Sequence, residues 1–438
     1  MSSLNQLSLT GMLNAIEQGD CLPSDIWRSC LHQIDRYDRD VHAWQQLYCL
    51  ADESQAIHLE NTRFPLQGLP IGIKDTIDVL GMRAERGSRV WQGREAPADA
   101  SCISALKHAG GRVIGKTVTT EFAYFTPGAT ANPHNLAHTP GGSSSGSAAA
   151  VAAGMVPVAL GSQTAASLIR PAAYCGVVGY VASVGSVSLR GVMPLAHTLD
   201  ALGLVTRDVA DVHYVQALLT RAPVKQGRVR RKPEAVLAVD GRAFGAVDAE
   251  MLALHQRTLD GLASQGVRIY TVTDELGAEG GQKLAQWHHE LMAYEAAQTL
   301  SFEYHEHADG LSRALQDLIE EGLGIDGERY EELKSLRDMA MAKFARAMDR
   351  YDAVLAPAAP GAAPRGLEAT GRPDQSRAWQ LLGVPQITLP AGVDDASMPL
   401  GMQLIGRQRG DVRLLDIALW FQDELGWKGE IPPAFRRQ

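Results

Sequence analysis

The sequence predicts an α/β fold whose sheet is covered by helices, and three observations carry that expectation. Short apolar runs alternate with amphipathic segments of helical period. The alternation continues from the first third of the chain to its end. Residues 280–351 are almost wholly helical in pattern, enough for a helical layer over one side of a sheet.

In chain order, residues 7–19 and 23–37 read as amphipathic helices, the second opened by Pro23, Ser24 and Asp25. Residues 99–109 read as a helix ended by Gly110 and Gly111, and Val113-Ile114 as a short buried strand. The pair returns as a helix over Asp248–Gln265 and a strand over Val267–Val272. Strands are expected at Asp352–Ala356, Gln386–Pro390 and Met402–Ile405, and a closing helix at Asp411–Glu424. Residues 222–233 are rich in Lys, Arg, Gly and Pro. They read as a solvated linker between two halves of one domain rather than as a basic contact patch.

Composition bounds the function. The 438 residues are 45% hydrophobic, so a large core can form, and the net charge of −9 is the reverse of what general nucleic-acid binding needs. The five cysteines are odd in number and lack a C-x-x-C spacing, which fits a reducing compartment better than a disulfide framework. No basic, apolar leader and no run of 18 apolar residues is present. The expectation is a cytoplasmic enzyme-sized protein with no membrane partner.

The most unusual stretch starts at Thr139-Pro140-Gly141-Gly142-Ser143-Ser144-Ser145-Gly146-Ser147 and continues through Ala148–Ala153 to Ser167 and Arg170-Pro171. A linker would be polar on both sides. Here the small residues run into a strong helix former and then an apolar strand, Val156–Leu160. This composition suits a packed strand–loop–helix region where backbone approaches a ligand closely. Catalysis through several main-chain N–H donors needs it, because larger side chains would block them.

These residues resemble the amidase-signature family. Gly141-Gly142-Ser143-Ser144-Ser145-Gly146-Ser147, with Ser167 twenty-four residues after Ser143, is similar to its signature, and Gly72-Ile73-Lys74-Asp75 to its lysine motif. Gly115-Lys116-Thr117, Glu121-Phe122-Ala123 and Asn132-Pro133-His134-Asn135 also match, and the resemblance covers nearly the whole chain. Within the family the pattern looks closest to malonamidase, through Ser167-Leu168-Ile169-Arg170-Pro171. The resemblance implies one large domain over residues 1–438, a mixed twisted β-sheet with helices on both faces, and no metal or organic cofactor. It also implies a small-molecule amide as partner and a homodimer as assembly.

The resemblance also implies a chemistry. A serine hydroxyl needs a base to take its proton. Ser167 is the implied nucleophile, Ser143 the proton relay after a cis Gly142–Ser143 peptide, and Lys74 the base. An ordinary lysine has a pKa near 10.4, so neutrality at pH 7 costs about 4.6 kcal/mol. Burial shifts lysines by roughly 3–5 units, which suffices, and Leu69-Pro70-Ile71-Gly72-Ile73 is an apolar approach to Lys74. The amides of Thr164, Ala165, Ala166 and Ser167 are the implied oxyanion hole. Ser144 is a hydrogen-bonding support. Arg170 has two readings. By resemblance it binds a substrate carboxylate through its planar fork; otherwise it forms a structural ion pair where Pro171 opens a helix.

Three departures from the family pattern stand out. Ala165-Ala166 replace glycines, and a left-handed backbone there would cost about 1–2 kcal/mol. Gly179-Tyr180-Val181-Ala182-Ser183 lacks the usual Lys and Pro, and Gln163 stands for a common Asp. Rival motifs carry less. Gly110-x-x-x-x-Gly115-Lys116-Thr117 matches the phosphate-loop string, but its middle is a strand pattern and a helix precedes it. Gly142-x-Ser144-x-Gly146 matches a nucleophile elbow without the strand that should lead into it. His288, His289, His305 and His307 lie in amphipathic helical sequence without metal-site spacing, and a surface or satisfied polar role is expected. Cys175 reads as a buried inert thiol. The expected function is hydrolysis of a small, carboxylate-bearing amide. The alternatives are an amidotransferase subunit passing ammonia to a partner enzyme, and a catalytically weakened scaffold.

Overall fold

The computed structural model describes residues 4–48, 64–223, 229–271 and 278–436. Its strands are β1 (Trp44–Leu47), β2 (Pro70–Lys74), β3 (Arg112–Thr117), β4 (Val158–Gln163), β5 (Val178–Val181), β6 (Ala201–Thr206), β7 (Ala235–Ala238), β8 (Arg268–Thr271), β9 (Ala353–Pro357), β10 (Gln386–Val393) and β11 (Pro399–Ile405). Among the described residues they form one 11-stranded sheet in the order β1-β3-β2-β4-β6-β5-β10-β11-β9-β7-β8. The sheet is mixed. β2 runs parallel to β3 and β4, and β7 to β8 and β9, while the centre from β4 through β6, β5, β10 and β11 to β9 pairs antiparallel.

Burial explains which strands are central. Every residue of β2, β4, β6, β9 and β11 is buried, as continuous apolar strands covered on both faces should be. The edge strands β1 and β8 carry exposed positions. Alternate residues point to opposite faces: Val236 and Ala238 join one apolar cluster, Ala235 and Leu237 the other. One cluster gathers α1 (Leu9–Gln18), α2 (Pro23–Val41), α3 (Ser101–His108), α4 (Ser145–Ala152), α5 (Ile169–Tyr174), α6 (Val209–Thr220), α7 (Ala249–Ser264) and the last helix. The other is roofed by the helical layer expected over 280–351. That layer is α8 (Ala278–Thr299), α9 (Ser301–His307), α10 (Arg313–Leu323) and α11 (Gly327–Ala347), and α12 (Asp374–Leu381) packs with it. The closing helix is α13 (Asp411–Leu425). The fold is a single α/β domain with a covered mixed sheet, as the sequence predicts.

Boundaries differ in small ways. Ser8 caps α1, its hydroxyl accepting the Gly11 amide, and Gly19 ends it in the left-handed conformation at φ 78°. The strand expected at Val156–Leu160 begins two residues later and continues to Gln163, to the edge of the site. α5 starts at Ile169, so Pro171 lies inside its first turn, where its missing N–H leaves no helical bond unmade. Of the basic stretch at 222–233, residues 224–228 lie outside the described residues. Arg230 pairs with Asp423 at 2.5 Å and the Arg231 amide bonds the Asp416 carbonyl at 3.0 Å, which ties its second half to α13. Cys21, Cys30, Cys102 and Cys175 are free and buried, and Cys49 lies outside the described residues. Among the described residues no helix is long and apolar enough to cross a membrane.

Candidate active site

Three loop ends meet in front of the central strands. Lys74 closes β2, the loop at 141–144 enters α4, and the loop at 164–168 joins β4 to α5. Close approach of backbones selects the small residues here. A Cβ on Gly146 would lie 2.2 Å from the Ala43 carbonyl oxygen and 2.4 Å from the Val118 nitrogen, so α4 reaches β3 only with glycine there. Gly141 takes φ 82°, where a side chain would be strained.

Lys74 is fully buried, and its Nζ lies 2.7 Å from Ser143 Oγ, 3.1 Å from Ser162 Oγ and 3.3 Å from the Ser162 carbonyl oxygen. Among the described residues no carboxylate is within ion-pair distance of it. Loss of water pushes its pKa down to about 7, and the charge of Asp200 opposes that shift. A neutral amine has two N–H donors and one lone pair. With Ser162 taking the two donors, the lone pair is left for the Ser143 hydroxyl. The neighbouring lysine makes the contrast. Lys116, of the phosphate-loop string, is equally buried but ion-paired to Asp75 Oδ1 at 2.9 Å. Asp75 also accepts the Glu85 and Arg86 amides, so this pair anchors a loop.

The Gly142–Ser143 peptide is cis, as the resemblance implied. Ser143 and Ser167 are 3% and 8% exposed and line the same cleft. The Ser144 amide donates to the Ser167 carbonyl at 2.9 Å, which joins the two loops, and Ser144 Oγ donates to the Ser162 carbonyl at 3.3 Å. Thr164, Ala165 and Ala166 line the cleft beside Ser167. Among the described residues no carbonyl or side chain accepts from the amides of Ala165, Ala166 or Ser167. A developing oxyanion requires unpaired N–H donors, and these three residues line the cleft. Neither alanine takes a positive φ, so the substitution for glycine carries no backbone penalty. Among the described residues that line the cleft, the non-glycine residue with a left-handed backbone is Ala123 (φ 62°).

Gln163 explains its own departure. Its Oε1 accepts the amides of Leu168 and Ile169 at 3.1 and 3.0 Å, capping the turn after Ser167. Its Nε2 donates to Gln380 Oε1 at 2.9 Å, and Gln386 donates to the same oxygen at 3.0 Å. A carboxylate could accept but not donate, so in this neutral three-amide cluster only Gln serves both bonds. Gln163→Ala should cost roughly 2–4 kcal/mol by leaving buried groups unpaired around a cavity. A fall in thermal midpoint of several degrees checks this. The altered stretch at 179–183 lies elsewhere: Tyr180 and Ser183 donate to Asp411 at the start of α13, at 2.5 and 2.6 Å.

Arg170 reaches the cleft but forms no ion pair among the described residues, so its structural ion-pair reading is not what the chain adopts. Its Nη1 donates to the Gly371 carbonyl at 2.7 Å, and its Nη2 to the Gly142 carbonyl at 2.5 Å and Thr370 Oγ1 at 3.1 Å. Its Nε is buried without an acceptor among the described residues. Burial brings its pKa down to about 10, so it stays a cation. Phe125 faces its guanidinium at 5.8 Å.

Sequence reasoning missed two groups. Asp200 is buried, accepts the Thr164 hydroxyl at 2.5 Å, and has its pKa pushed up to about 7 by loss of water. His288 is not on the surface: it is fully buried and, as the satisfied polar alternative expected, its Nε2 bonds the Thr164 carbonyl at 2.6 Å, while among the described residues its Nδ1 has no partner. Its helical spacing among Leu284, Leu291 and Met292 was the signal for burial. His289 instead pairs with Glu321 at 2.9 Å. Cys175 is buried, and loss of water raises its thiol pKa far from reactivity.

The Amidase family profile matches residues 25–415. The chain belongs to the amidase family. It is an amide-hydrolysing enzyme of that family. Among relatives, a glutamyl-tRNA(Gln) amidotransferase subunit of Symbiobacterium thermophilum is 30% identical over 99% of this chain and 98% of its own. That of Halothermothrix orenii is 28% identical over 98% and 99%. Among solved structures, an amidase superimposes with a TM-score of 0.85 at 27% identity, over 96% of this chain and 100% of that one. The peptide amidase of Stenotrophomonas maltophilia shares the fold, with a TM-score of 0.81 at 24% identity over 98% of each chain.

Proposed function

We propose that the chain releases ammonia from a small, carboxylate-bearing amide through an acyl-enzyme on Ser167. The observation that carries this reading is Lys74, buried with no carboxylate in ion-pair distance among the described residues, softened to a pKa of about 7 and 2.7 Å from Ser143. Neutral Lys74 takes the Ser143 proton, Ser143 takes that of Ser167, and Ser167 Oγ bonds to the amide carbon. The amides of Ala165, Ala166 and Ser167, with Thr164, hold the oxyanion. The proton returns through Ser143 to the leaving nitrogen as the C–N bond breaks. Water then adds to the acyl carbon by the same relay, and Ser167 leaves with its proton restored. Each stage conserves protons. Ammonia release from a panel of small amides with and without a carboxylate tests the proposal, and release from none of them would sink it.

The substrate class rests on Arg170 and on the resemblance to malonamidase. A cation on the cleft wall with no carboxylate in ion-pair distance among the described residues favours an anionic substrate group. Arg170→Lys should raise KM by about tenfold for a carboxylate-bearing amide and leave the neutral amide's KM unchanged. Equal effects on both would point to a purely structural arginine.

A second reading has its own support. The relatives at 28–30% identity, over almost their whole length, are amidotransferase subunits. Under that reading the chain would act within a complex and pass its ammonia on. Turnover of free amides by the purified single chain argues against it. Turnover appearing only with partner subunits favours it.

A further inference from the structure

The loop bearing Ser167 is gripped from outside at one residue. On one side the Thr164 hydroxyl donates to Asp200, whose carboxylate also accepts the amides of Leu195 and Ala196 at 2.9 and 3.1 Å. On the other side the Thr164 carbonyl is tied to His288, which hangs from α8 in the helical roof. A carbonyl can only accept, so Nε2 carries the ring proton and Nδ1 is bare. Burial, with the charge of Arg377 adding to it, brings the His288 pKa down to about 3, so the ring is neutral and keeps this tautomer at working pH.

The consequence follows from peptide geometry. A trans peptide is planar, and its C=O and N–H point in opposite directions. The carbonyl of Thr164 and the amide of Ala165 belong to one such unit. Anchoring the carbonyl on His288, in the roof, directs the Ala165 N–H away from it. Ala165 lines the cleft, and its amide has no acceptor among the described residues. The same peptide rotated by half a turn would present a carbonyl to the oxyanion and repel it. Met292, one turn along α8 from His288, also lines the cleft, so the helix that supplies the anchor is itself a cleft wall.

We propose that His288 is a positioning residue for catalysis, locking the Thr164–Ala165 peptide in the orientation that offers the Ala165 N–H to the oxyanion. This rests on the reading of Ser167 as nucleophile. His288 touches neither substrate nor the reacting atoms. It acts through one hydrogen bond to a carbonyl, with Asp200 fixing the same residue by its side chain. A residue that merely filled space at this buried position of an amphipathic helix would need no ring nitrogen.

The test compares His288→Ala and His288→Gln with the wild type on an amide that the wild type turns over. An oxyanion donor is worth about 10²–10³ in kcat. His288→Ala is expected to lose about 10- to 100-fold in kcat with KM within about threefold of wild type, because the defect lies in the transition state. His288→Gln, which keeps an N–H donor, is expected to recover most of that loss. A folded His288→Ala protein with wild-type kcat overturns the inference, as does a His288→Gln protein no better than alanine. If the alanine protein does not fold, glutamine decides alone: kcat within about threefold of wild type supports the anchor, and a loss beyond about tenfold overturns it. Failure of the parent reading looks different. There the wild type itself releases no ammonia and takes no fluorophosphonate label at Ser167.

Discussion

Ser167→Ala should abolish ammonia release, with kcat down by about a million-fold. That is the scale on which removing a serine nucleophile ends catalysis in enzymes whose base and nucleophile act as a unit. The variant should remain folded. Ser167 is 8% exposed, and among the described residues no bond to its hydroxyl holds the loop, which is joined instead by the Ser144 amide on the Ser167 carbonyl and by Gln163 on the next two amides. The expected pairing is an unchanged thermal midpoint with activity at background. Retention of full rate would mean that another group attacks.

Lys74→Met carries the second large effect, and it moves activity and stability in opposite directions. Methionine fills nearly the same space but has no lone pair to receive the Ser143 proton. kcat/KM should fall by at least about 10⁴-fold, as for loss of a general base acting with its nucleophile. Stability should rise. The folded pKa of Lys74, about 7, lies below its unfolded value of 10.5. The unfolded chain therefore binds the extra proton between those two values, and stability increases with pH across that window. The cost to the wild type is full below about pH 7 and fades as pH rises toward 10.5. It is on the order of 4 kcal/mol at neutrality. Lys74→Met lacks it, so thermal melts at pH 7 should place the variant above the wild type, with the gap closing at alkaline pH. Such a group lowers stability and is retained for function.

The Lys74, Ser143 and Ser167 set entered through the resemblance to the amidase-signature family; the structure places Lys74 2.7 Å from Ser143 and both serines on one cleft. The long helices were legible because their apolar periodicity over many turns leaves one interpretation. Strands β5 and β6 were not anticipated. Four- and six-residue apolar runs buried on both faces carry no period to separate them from helix. Sheet order was equally hidden, since β7 through β9 pair across long stretches of sequence. His288 and Asp200 escaped for another reason. Their contacts to Thr164 span 124 and 36 residues, and nothing at either end advertises the other. Gln163 was visible only as a departure; the amides of Gln380 and Gln386 give it a reason.

The central claim is that a neutral Lys74 activates Ser167 through Ser143. Its most direct test is the rate at which a fluorophosphonate modifies Ser167 from about pH 5 to about pH 9. The account predicts a sigmoid with its midpoint near 7, falling tenfold per unit on the acid side, and its disappearance in Lys74→Met. A rate that passes through neutrality without a step, or a label found on a residue other than Ser167, would contradict it.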